Sequence, residues 1–168
     1  MSTELFWIEG PWRGRLAISA RPRGGEWLND EMRAWRAAGI DAVVSLLEPH
    51  EVADLGLENE GSLCEANGME FFSLPIVDRN VPQSGPEVQQ LLAQLDRELQ
   101  SGKRVTIHCR QGVGRAGLIA VALLVEKGFT PDPAIERVSS ARHVRVPETS
   151  QQRAWIDSFS AALSRKAF

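Results

Sequence analysis

The chain has 168 residues, of which 43% are hydrophobic and 24% charged, and 22 acidic against 19 basic side chains give a net charge of −3. This length and apolar content suit one globular domain, so we expect a single domain over residues 1–168. The slight negative charge excludes a global basic field that would recruit nucleic acid or an anionic membrane. The sequence has neither a run of 18 apolar residues nor a basic segment before an apolar core, so it predicts no membrane span and no signal peptide.

Short strands and helices alternate along the first half of the chain. The predicted strands cover residues 5–8, 15–19, 41–46 and 69–74. The predicted helices cover residues 27–38, 48–55 and 61–67. Gly39 ends the first helix, and a turn containing Gly10, Pro11 and Gly14 joins the first two strands.

The second half contains one more strand, through Val105 and Ile107, among predicted helices that dominate the last third. These helices cover residues 86–100, 116–125, 130–141 and 150–163. Strands that alternate with helices predict an α/β fold whose central, mostly parallel, twisted sheet is flanked by helices. The C-terminal ends of parallel strands carry the functional sites of such folds.

The most informative segment is the loop HCRQGVGR, residues 108–115, between the last strand and a buried helix. Backbone N–H groups converge at such a junction, and the helix N-terminus adds partial positive charge. The planar fork of Arg115 can bind two phosphate oxygens, and the same positive field stabilises the thiolate of Cys109, the nucleophilic form. The predicted phosphate-binding residues are Arg110, Gln111, Gly112, Val113, Gly114 and Arg115. The alternative is a buried structural cysteine in a glycine-bearing turn.

His108-Cys109, followed by five residues and Arg115, resembles the signature of the cysteine-dependent protein tyrosine and dual-specificity phosphatases. The resemblance covers most of the chain, from about Ala20 onward. It implies a phosphatase-like fold, a phosphocysteine intermediate, a supporting role for a buried His108, and no metal or organic cofactor. Where the family usually has Ser or Thr after the arginine, this chain has Ala116. Because that hydroxyl helps the thiolate to leave from the phosphoenzyme, Ala116 bears on turnover rather than on binding.

The segment LPIVDRNVP, residues 74–82, follows a predicted strand and contains Asp78. Displacing an alkoxide or phenolate from phosphorus needs a proton donor to the leaving oxygen. In the family an Asp on a loop before the signature supplies this proton, and Pro-Ile-x-Asp is a common form of that loop. The resemblance therefore implies that Asp78 is the general acid. An ordinary turn aspartate is the alternative.

The segment VPETSQQ, residues 146–152, leads into the last helix. A Glu-Thr-x-x-Gln element there is common in the branch that resembles the kinase-associated phosphatases, and its glutamine can orient the water that hydrolyses phosphocysteine. The resemblance assigns this role to Gln152, with Gln151 as its rival. A helix cap at Thr149 or Ser150 explains the same residues without a catalytic function.

Cys64 and several arginines are further candidate functional residues. Cys64 could trap an oxidised Cys109 as a disulfide, although a small buried side chain on a short helix is the favoured interpretation. No His or Cys pair has metal-ligand spacing, so we expect no metal site. Two cysteines form no disulfide framework, and a reactive thiolate suits a reducing compartment, which predicts a cytoplasmic location. The arginines that could surround the mouth of the site are Arg21, Arg79, Arg110, Arg142 and Arg145.

The sequence thus predicts a phosphomonoesterase, a monomer that binds neither nucleic acid nor membrane and acts on phosphotyrosine or on mixed phosphoprotein substrates. A phosphoinositide, a nucleotide or an RNA end stays open as the substrate. A rhodanese-like sulfurtransferase is one alternative, but it has a shorter loop and no counterpart of Asp78. A non-catalytic phosphoprotein-binding module, suggested by Ala116, is the other, although such a module needs neither a thiolate nor an acid.

Overall fold

One five-stranded sheet organises the computed structural model, which describes residues 2–166. The strands are β1 (Phe6–Ile8), β2 (Arg15–Ser19), β3 (Ala42–Ser45), β4 (Glu70–Ser73) and β5 (Arg104–His108). Their order across the sheet is β1-β2-β5-β3-β4. Only the β1–β2 pair is antiparallel, and β2, β5, β3 and β4 run parallel. The predicted mostly parallel α/β sheet is confirmed.

Within residues 2–166, seven α-helices connect and cover these strands. They are α1 (Leu28–Ala37), α2 (Pro49–Asp54), α3 (Glu60–Ala66), α4 (Gly85–Gln100), α5 (Gly114–Glu126), α6 (Pro131–Arg142) and α7 (Ser150–Lys166). Every predicted helix is present, and the ends differ from the prediction by three residues or fewer. The difference that matters is at α5, which begins at Gly114 rather than at residue 116. Gly114 and Arg115 therefore belong to both the loop and the first helical turn.

The three central strands, β2, β5 and β3, are buried on both faces, and successive side chains of each strand point to opposite sides of the sheet. In β3, Val44 packs into the larger cluster beneath α4 and α5, whereas Val43 packs into a second cluster with Met32 and Trp35 of α1. Helix α5 is buried over nearly its whole length, and its apolar residues surround the helix axis. This packing fixes the N-terminus of α5 directly beyond the end of the central strand β5.

No helix in the described part of the chain is long and apolar enough to cross a membrane. The single domain over residues 1–168 and the monomeric state stay predictions.

Candidate active site

Cys109 follows β5 at its C-terminal end, between the ends of β2 and β3. The next residues turn sharply back toward the sheet before α5 begins. Gly112 has a left-handed backbone with φ of 74°, and a Cβ atom there would collide with the Ser19 carbonyl oxygen. The loop can approach β2 this closely only because position 112 is glycine.

The loop presents N–H groups to the site because its carbonyls are bound on the outside. Arg142, at the end of α6, donates from Nε to the Gly112 carbonyl at 3.1 Å and from Nη2 to the Gln111 carbonyl at 3.1 Å. In a planar trans peptide the carbonyl and the following N–H point in opposite directions. The Gly112 N–H accordingly points inward and donates to Cys109 Sγ at 3.3 Å. Arg142 thus supports the cradle from behind instead of lining its mouth.

Arg21 contributes to the same pattern through its backbone. Its N–H donates to the Arg110 carbonyl at 3.1 Å, and its side chain donates to the neighbouring Pro22 carbonyl. With the Arg110 carbonyl held outside, the N–H of Gln111 is turned toward the cradle. The N–H groups of Gln111 and Gly112, two of the residues predicted to bind phosphate, therefore point inward beside Cys109.

Arg115 is held by a buried carboxylate. Its Nη1 and Nη2 donate to the two carboxylate oxygens of Glu51 at 2.8 and 3.0 Å, and Nη1 also donates to the Ile76 carbonyl at 2.9 Å. Burial alone would lower the pKa of Arg115, but the negative charges of Glu51, Cys109 and Asp78 raise it above its ordinary value. Burial would likewise raise the pKa of Glu51, but its bonds to Arg115 and to the Glu48 N–H lower it from 4.5 to about 2. The guanidinium is therefore charged and fixed in orientation before any ligand arrives.

Sequence reasoning missed Glu51. The residue is third in α2, and its side chain accepts the Glu48 N–H at 2.9 Å as half of a capping box. That local pattern explains Glu51 completely without Arg115. Only the fold shows that this capping carboxylate is also the partner of Arg115.

Asp78 lies on the loop after β4, opposite Cys109. Its Oδ1 is 3.2 Å from Arg115 Nη2, and its side chain is 59% exposed. Asp78, Cys109 and Arg115 line one cavity of about 200 Å³. The other lining residues are Arg79, Arg110, Gln111, Gly114 and Glu148. The fold thus brings the three central residues of the sequence prediction together.

Gln152 is fully buried beside this cavity. Its Oε1 accepts the N–H groups of Glu148 at 3.0 Å and Thr149 at 3.3 Å, and its Nε2 donates to the Asn80 carbonyl at 3.1 Å. The side chain thereby connects the start of α7 to the loop that carries Asp78. Thr149 Oγ1 accepts the Gln152 N–H at 3.1 Å, as a helix cap does, and the rival Gln151 is exposed. The water-orienting role of Gln152 stays a prediction.

Cys64 lies apart from the site. It belongs to the second core cluster with Met32, and Cys109 belongs to the first. Burial and the nearby charges of Glu60 and Glu65 raise the pKa of the Cys64 thiol to about 12. A neutral thiol in a different core favours the packing interpretation over a redox partnership with Cys109.

Ala116 and Arg145, two further residues named in the sequence prediction, lie in different parts of the fold. Ala116, in the first turn of α5, is completely buried. Arg145 lines a separate surface groove with Asp132 and Arg153. Within residues 2–166, no cluster of three or more His, Cys, Asp or Glu side chains is arranged to hold a metal ion.

A phosphate cradle, a cysteine and an aspartate in one cavity agree with the family that the sequence matches. Residues 6–160 match the family model described as the Swiss Army Knife protein, DSP-PTPase phosphatase domain (PTP-SAK). The chain belongs to this family. The predicted membership of the dual-specificity phosphatase superfamily is therefore confirmed, and the match favours a phosphatase over a sulfurtransferase.

Individual relatives cover the chain to different extents. The phosphatidylglycerophosphate phosphatase PTPMT2 of Arabidopsis thaliana is 29% identical over 123 residues, which is 73% of this chain and 51% of the relative. The chain spans only 51% to 61% of the length of the curated relatives that it matches.

Solved structures show the fold over nearly the whole chain. The kinase-associated phosphatase, with its catalytic-site cysteine substituted by serine, has a TM-score of 0.85 at 18% identity, covering 98% of this chain and 97% of that one. Tk-PTP in its active form has a TM-score of 0.76 at 28% identity, covering 94% and 96%. The first likeness confirms the predicted phosphatase-like fold.

The pairing of Glu51 with Arg115 gives a prediction for stability. Glu51→Gln keeps the shape of the side chain and removes its charge, and we expect the free energy of unfolding at neutral pH to fall by about 3 kcal/mol. Because the pKa of Glu51 is about 2 in the folded protein against 4.5 ordinarily, its stabilisation is present above pH 4.5 and is lost as the pH falls toward 2. Urea titrations should show the difference from wild type shrinking between neutral pH and about pH 3.

Glu48→Gln is the matched control for this prediction. Glu48 is the other half of the capping box and is partly exposed. If Glu48→Gln destabilises the protein as much as Glu51→Gln does, helix capping rather than the Arg115 pair explains the effect.

Proposed function

We propose that this protein hydrolyses phosphomonoesters through a phosphocysteine intermediate and acts on phosphotyrosine or on mixed phosphoprotein substrates. The observation that carries the proposal is the convergence of Cys109, Arg115 and Asp78 on one cavity beside a run of inward amides. The family match supports phosphatase chemistry, and the site supplies a nucleophile, an anion cradle and a proton donor for it.

In the first step the Cys109 thiolate attacks phosphorus. A P–S bond forms, the P–O bond to the leaving group breaks, and Asp78 gives its proton to the leaving oxygen. Arg115 and the loop amides hold the three equatorial oxygens while charge shifts across the phosphoryl group.

The hydrogen bonds of Arg115 suggest how substrate prepares this step. Glu51 and the Ile76 carbonyl accept both Nη1 hydrogens and one Nη2 hydrogen, so the second Nη2 hydrogen and Nε remain for a ligand. A phosphoryl oxygen bound there would compete with the Asp78 carboxylate for the charge of the guanidinium. Substrate binding would then release the Asp78 carboxyl toward the leaving group.

In the second step water attacks the phosphorus of phosphocysteine, the P–S bond breaks and the thiolate is restored. Asp78, deprotonated by the first step, accepts the proton of this water. Gln152 would orient the water with its second Nε2 hydrogen while it holds the Asn80 carbonyl with the first. Neither step requires a metal or an organic cofactor.

A phosphorylated headgroup with a polar alcohol part is a second candidate substrate. Among the described residues, those lining the cavity include no aromatic side chain that could stack on a phenyl ring, whereas Arg79 and Arg110 stand at its mouth. The name of the Arabidopsis relative indicates a phosphate ester of this kind as its substrate. A non-catalytic binding module is a weaker candidate because it would use neither Cys109 nor Asp78.

Phosphate release from a substrate panel tests these alternatives. The panel contains phosphotyrosine and phosphoserine peptides, phosphatidylglycerophosphate and a phosphoinositide in mixed micelles, and thiosulfate with cyanide as the sulfurtransferase control. Preference for peptides supports the first proposal, and preference for either lipid supports the second. Sulfur transfer, or binding without phosphate release on any substrate, would contradict both.

The missing hydroxyl at Ala116 predicts a kinetic signature. Without a hydrogen bond from this position the thiolate is a poorer leaving group, so phosphoenzyme should form faster than it is hydrolysed. We expect a burst of leaving group followed by a slower steady rate in rapid-quench experiments. Ala116→Ser should raise the steady rate by an amount equivalent to one hydrogen bond to a charged group, ~1.5–3 kcal/mol. A wild type without a burst, and a variant no faster, would make Ala116 an ordinary packing residue.

We also propose that the protein works as a monomer in a reducing, cytoplasmic compartment, since a thiolate is readily oxidised elsewhere. Cell fractionation and size-exclusion chromatography of the full-length protein test these two points.

A further inference from the structure

A buried pair outside the catalytic cavity flanks the signature cysteine. His108, the last residue of β5, is fully buried, and Glu60, the first residue of α3, is 2% exposed. The His108 Nε2 and Glu60 Oε2 atoms are 2.6 Å apart, and His108 Nδ1 is 3.1 Å from the Cys109 carbonyl oxygen. The side chain of Trp35 packs against the imidazole with ring centroids 6.1 Å apart. The mechanism above makes no use of Glu60.

The hydrogen-bond partners determine where the protons lie. A carbonyl oxygen only accepts, so His108 Nδ1 carries a hydrogen and donates it to Cys109. A neutral imidazole would then turn the lone pair of Nε2 toward Glu60 and could bind only a protonated carboxyl, whereas an imidazolium donates from Nε2 to the Glu60 carboxylate. A separation of 2.6 Å requires a hydrogen between these two atoms, and such short distances are typical of charge-assisted bonds.

We propose that Glu60 is a positioning residue that holds His108 as an imidazolium, and that this pair orients the first peptide of the phosphate loop and stabilises the Cys109 thiolate. An imidazolium donates from both nitrogens, which fits the contacts with the Cys109 carbonyl and with Glu60. A buried cation also needs a buried anion nearby, and Glu60 supplies it.

The pair of His108 and Glu60 also holds one more loop carbonyl, that of Cys109, on the outside of the cradle. Because His108 binds the Cys109 carbonyl outside the cradle, the N–H of Arg110 in the same peptide is turned inward. Arg21 and Arg142 hold the next three carbonyls in the same way. Glu60 therefore supports the β5 end of the cradle, as Arg142 supports its α5 end.

The position of Glu60 also explains why its charge can be tolerated in the core. It lies at the N-terminus of a helix, on the side of the sheet that α1 and α3 cover. The pair of His108 and Glu60 is neutral as a whole. The imidazolium is next to Cys109 in the chain, whereas the compensating carboxylate of Glu60 lies on the far side of the imidazole ring from the thiolate. The inference needs Cys109 to be a thiolate, but it does not depend on which phosphate ester is hydrolysed.

Two measurements on the full-length protein test this pair without using phosphatase activity. The first is a ¹⁵N-correlated spectrum of the imidazoles at neutral pH, which is simple because the chain has 3 histidines. We expect both ring nitrogens of the buried His108 to be protonated in the wild type. The second is the rate at which iodoacetamide alkylates Cys109, which we expect Glu60→Gln to slow about tenfold through loss of one charge-assisted interaction.

Glu31→Gln is the matched control, because Glu31 is also a fully buried glutamate but pairs with Arg23 away from the site. It should leave both measurements unchanged. One protonated nitrogen on wild-type His108, or equal alkylation rates in the two variants, would overturn the proposal. If Glu60→Gln does not fold, the wild-type spectrum still decides. If both measurements succeed while no phosphate ester is hydrolysed, the proposed function fails and this inference stands.

Discussion

Cys109→Ser is expected to abolish phosphate release, with a loss of at least about 10⁴-fold in kcat. A serine hydroxyl is not ionised near neutral pH, and Asp78 cannot take up its proton because Asp78 is required as an acid in the first step. The substitution should preserve the fold, since the oxygen can accept the Gly112 N–H that now binds the sulfur at 3.3 Å. Orthovanadate or phosphate should still bind, because Arg115 and the amides are unchanged. Steady-state phosphate release and calorimetric titration measure the two properties separately.

The other cysteine provides the control for this experiment. Cys64→Ala removes a small buried group from the second core cluster and should leave kcat close to wild type. If Cys109→Ser retains wild-type activity, or if Cys64→Ala is as inactive as Cys109→Ser, the cysteine mechanism proposed here is wrong.

Most helices and strands of this fold could be predicted because each has a local residue pattern in the sequence. Helix α4 was predictable because Val88, Leu91, Leu92, Leu95 and Leu99 recur at helical spacing, and all of them are buried. Every predicted strand is likewise recovered. The ends shift by three residues or fewer because propensity changes gradually, whereas hydrogen bonding stops at a definite residue.

The central part of the site was also predictable, because its parts are local. Cys109, the loop glycines and Arg115 are contiguous, and a strand–loop–helix junction brings contiguous residues around one anion. Asp78 could be singled out as a candidate because its loop has a recognisable form. Only the fold shows how close these residues come, with Asp78 Oδ1 3.2 Å from Arg115 Nη2.

The supporting residues were not predictable for the opposite reason. Glu51 looks like a helix cap, Glu60 like a solvated first-turn glutamate, and Arg142 like a surface arginine. Each of these side chains becomes buried, or is turned toward its partner, only when segments distant in the sequence pack together. The residues next to it in the sequence do not indicate this partner. Charged residues that meet across the fold are therefore the part of an active site that sequence patterns reveal least.

Asp78→Asn is expected to slow the hydrolysis of alkyl and peptide phosphates by ~10²–10⁴-fold, because an amide cannot give a proton to the leaving oxygen. Substrates with acidic leaving groups, such as p-nitrophenyl phosphate, need less protonation and should lose much less activity. Asp78 is 59% exposed, so replacing it should change the free energy of unfolding little, although its contact with Arg115 is lost. The ratio of the two rates, rather than either rate alone, reports on proton transfer.

Because Asp78 contacts Arg115, the same experiment also tests whether Asp78 acts by orienting the guanidinium rather than by giving a proton. If Asp78 served mainly to orient the guanidinium, its loss would weaken phosphate binding and slow both classes of substrate equally. Glu51 already fixes that guanidinium through two hydrogen bonds, so we expect the affinity for phosphate to be retained or increased once the competing carboxylate is removed. Asp132→Asn, at an exposed aspartate paired with Arg153, is the control for charge removal alone. An equal loss on both substrate classes together with weaker phosphate binding would assign Asp78 a structural role and require a different acid.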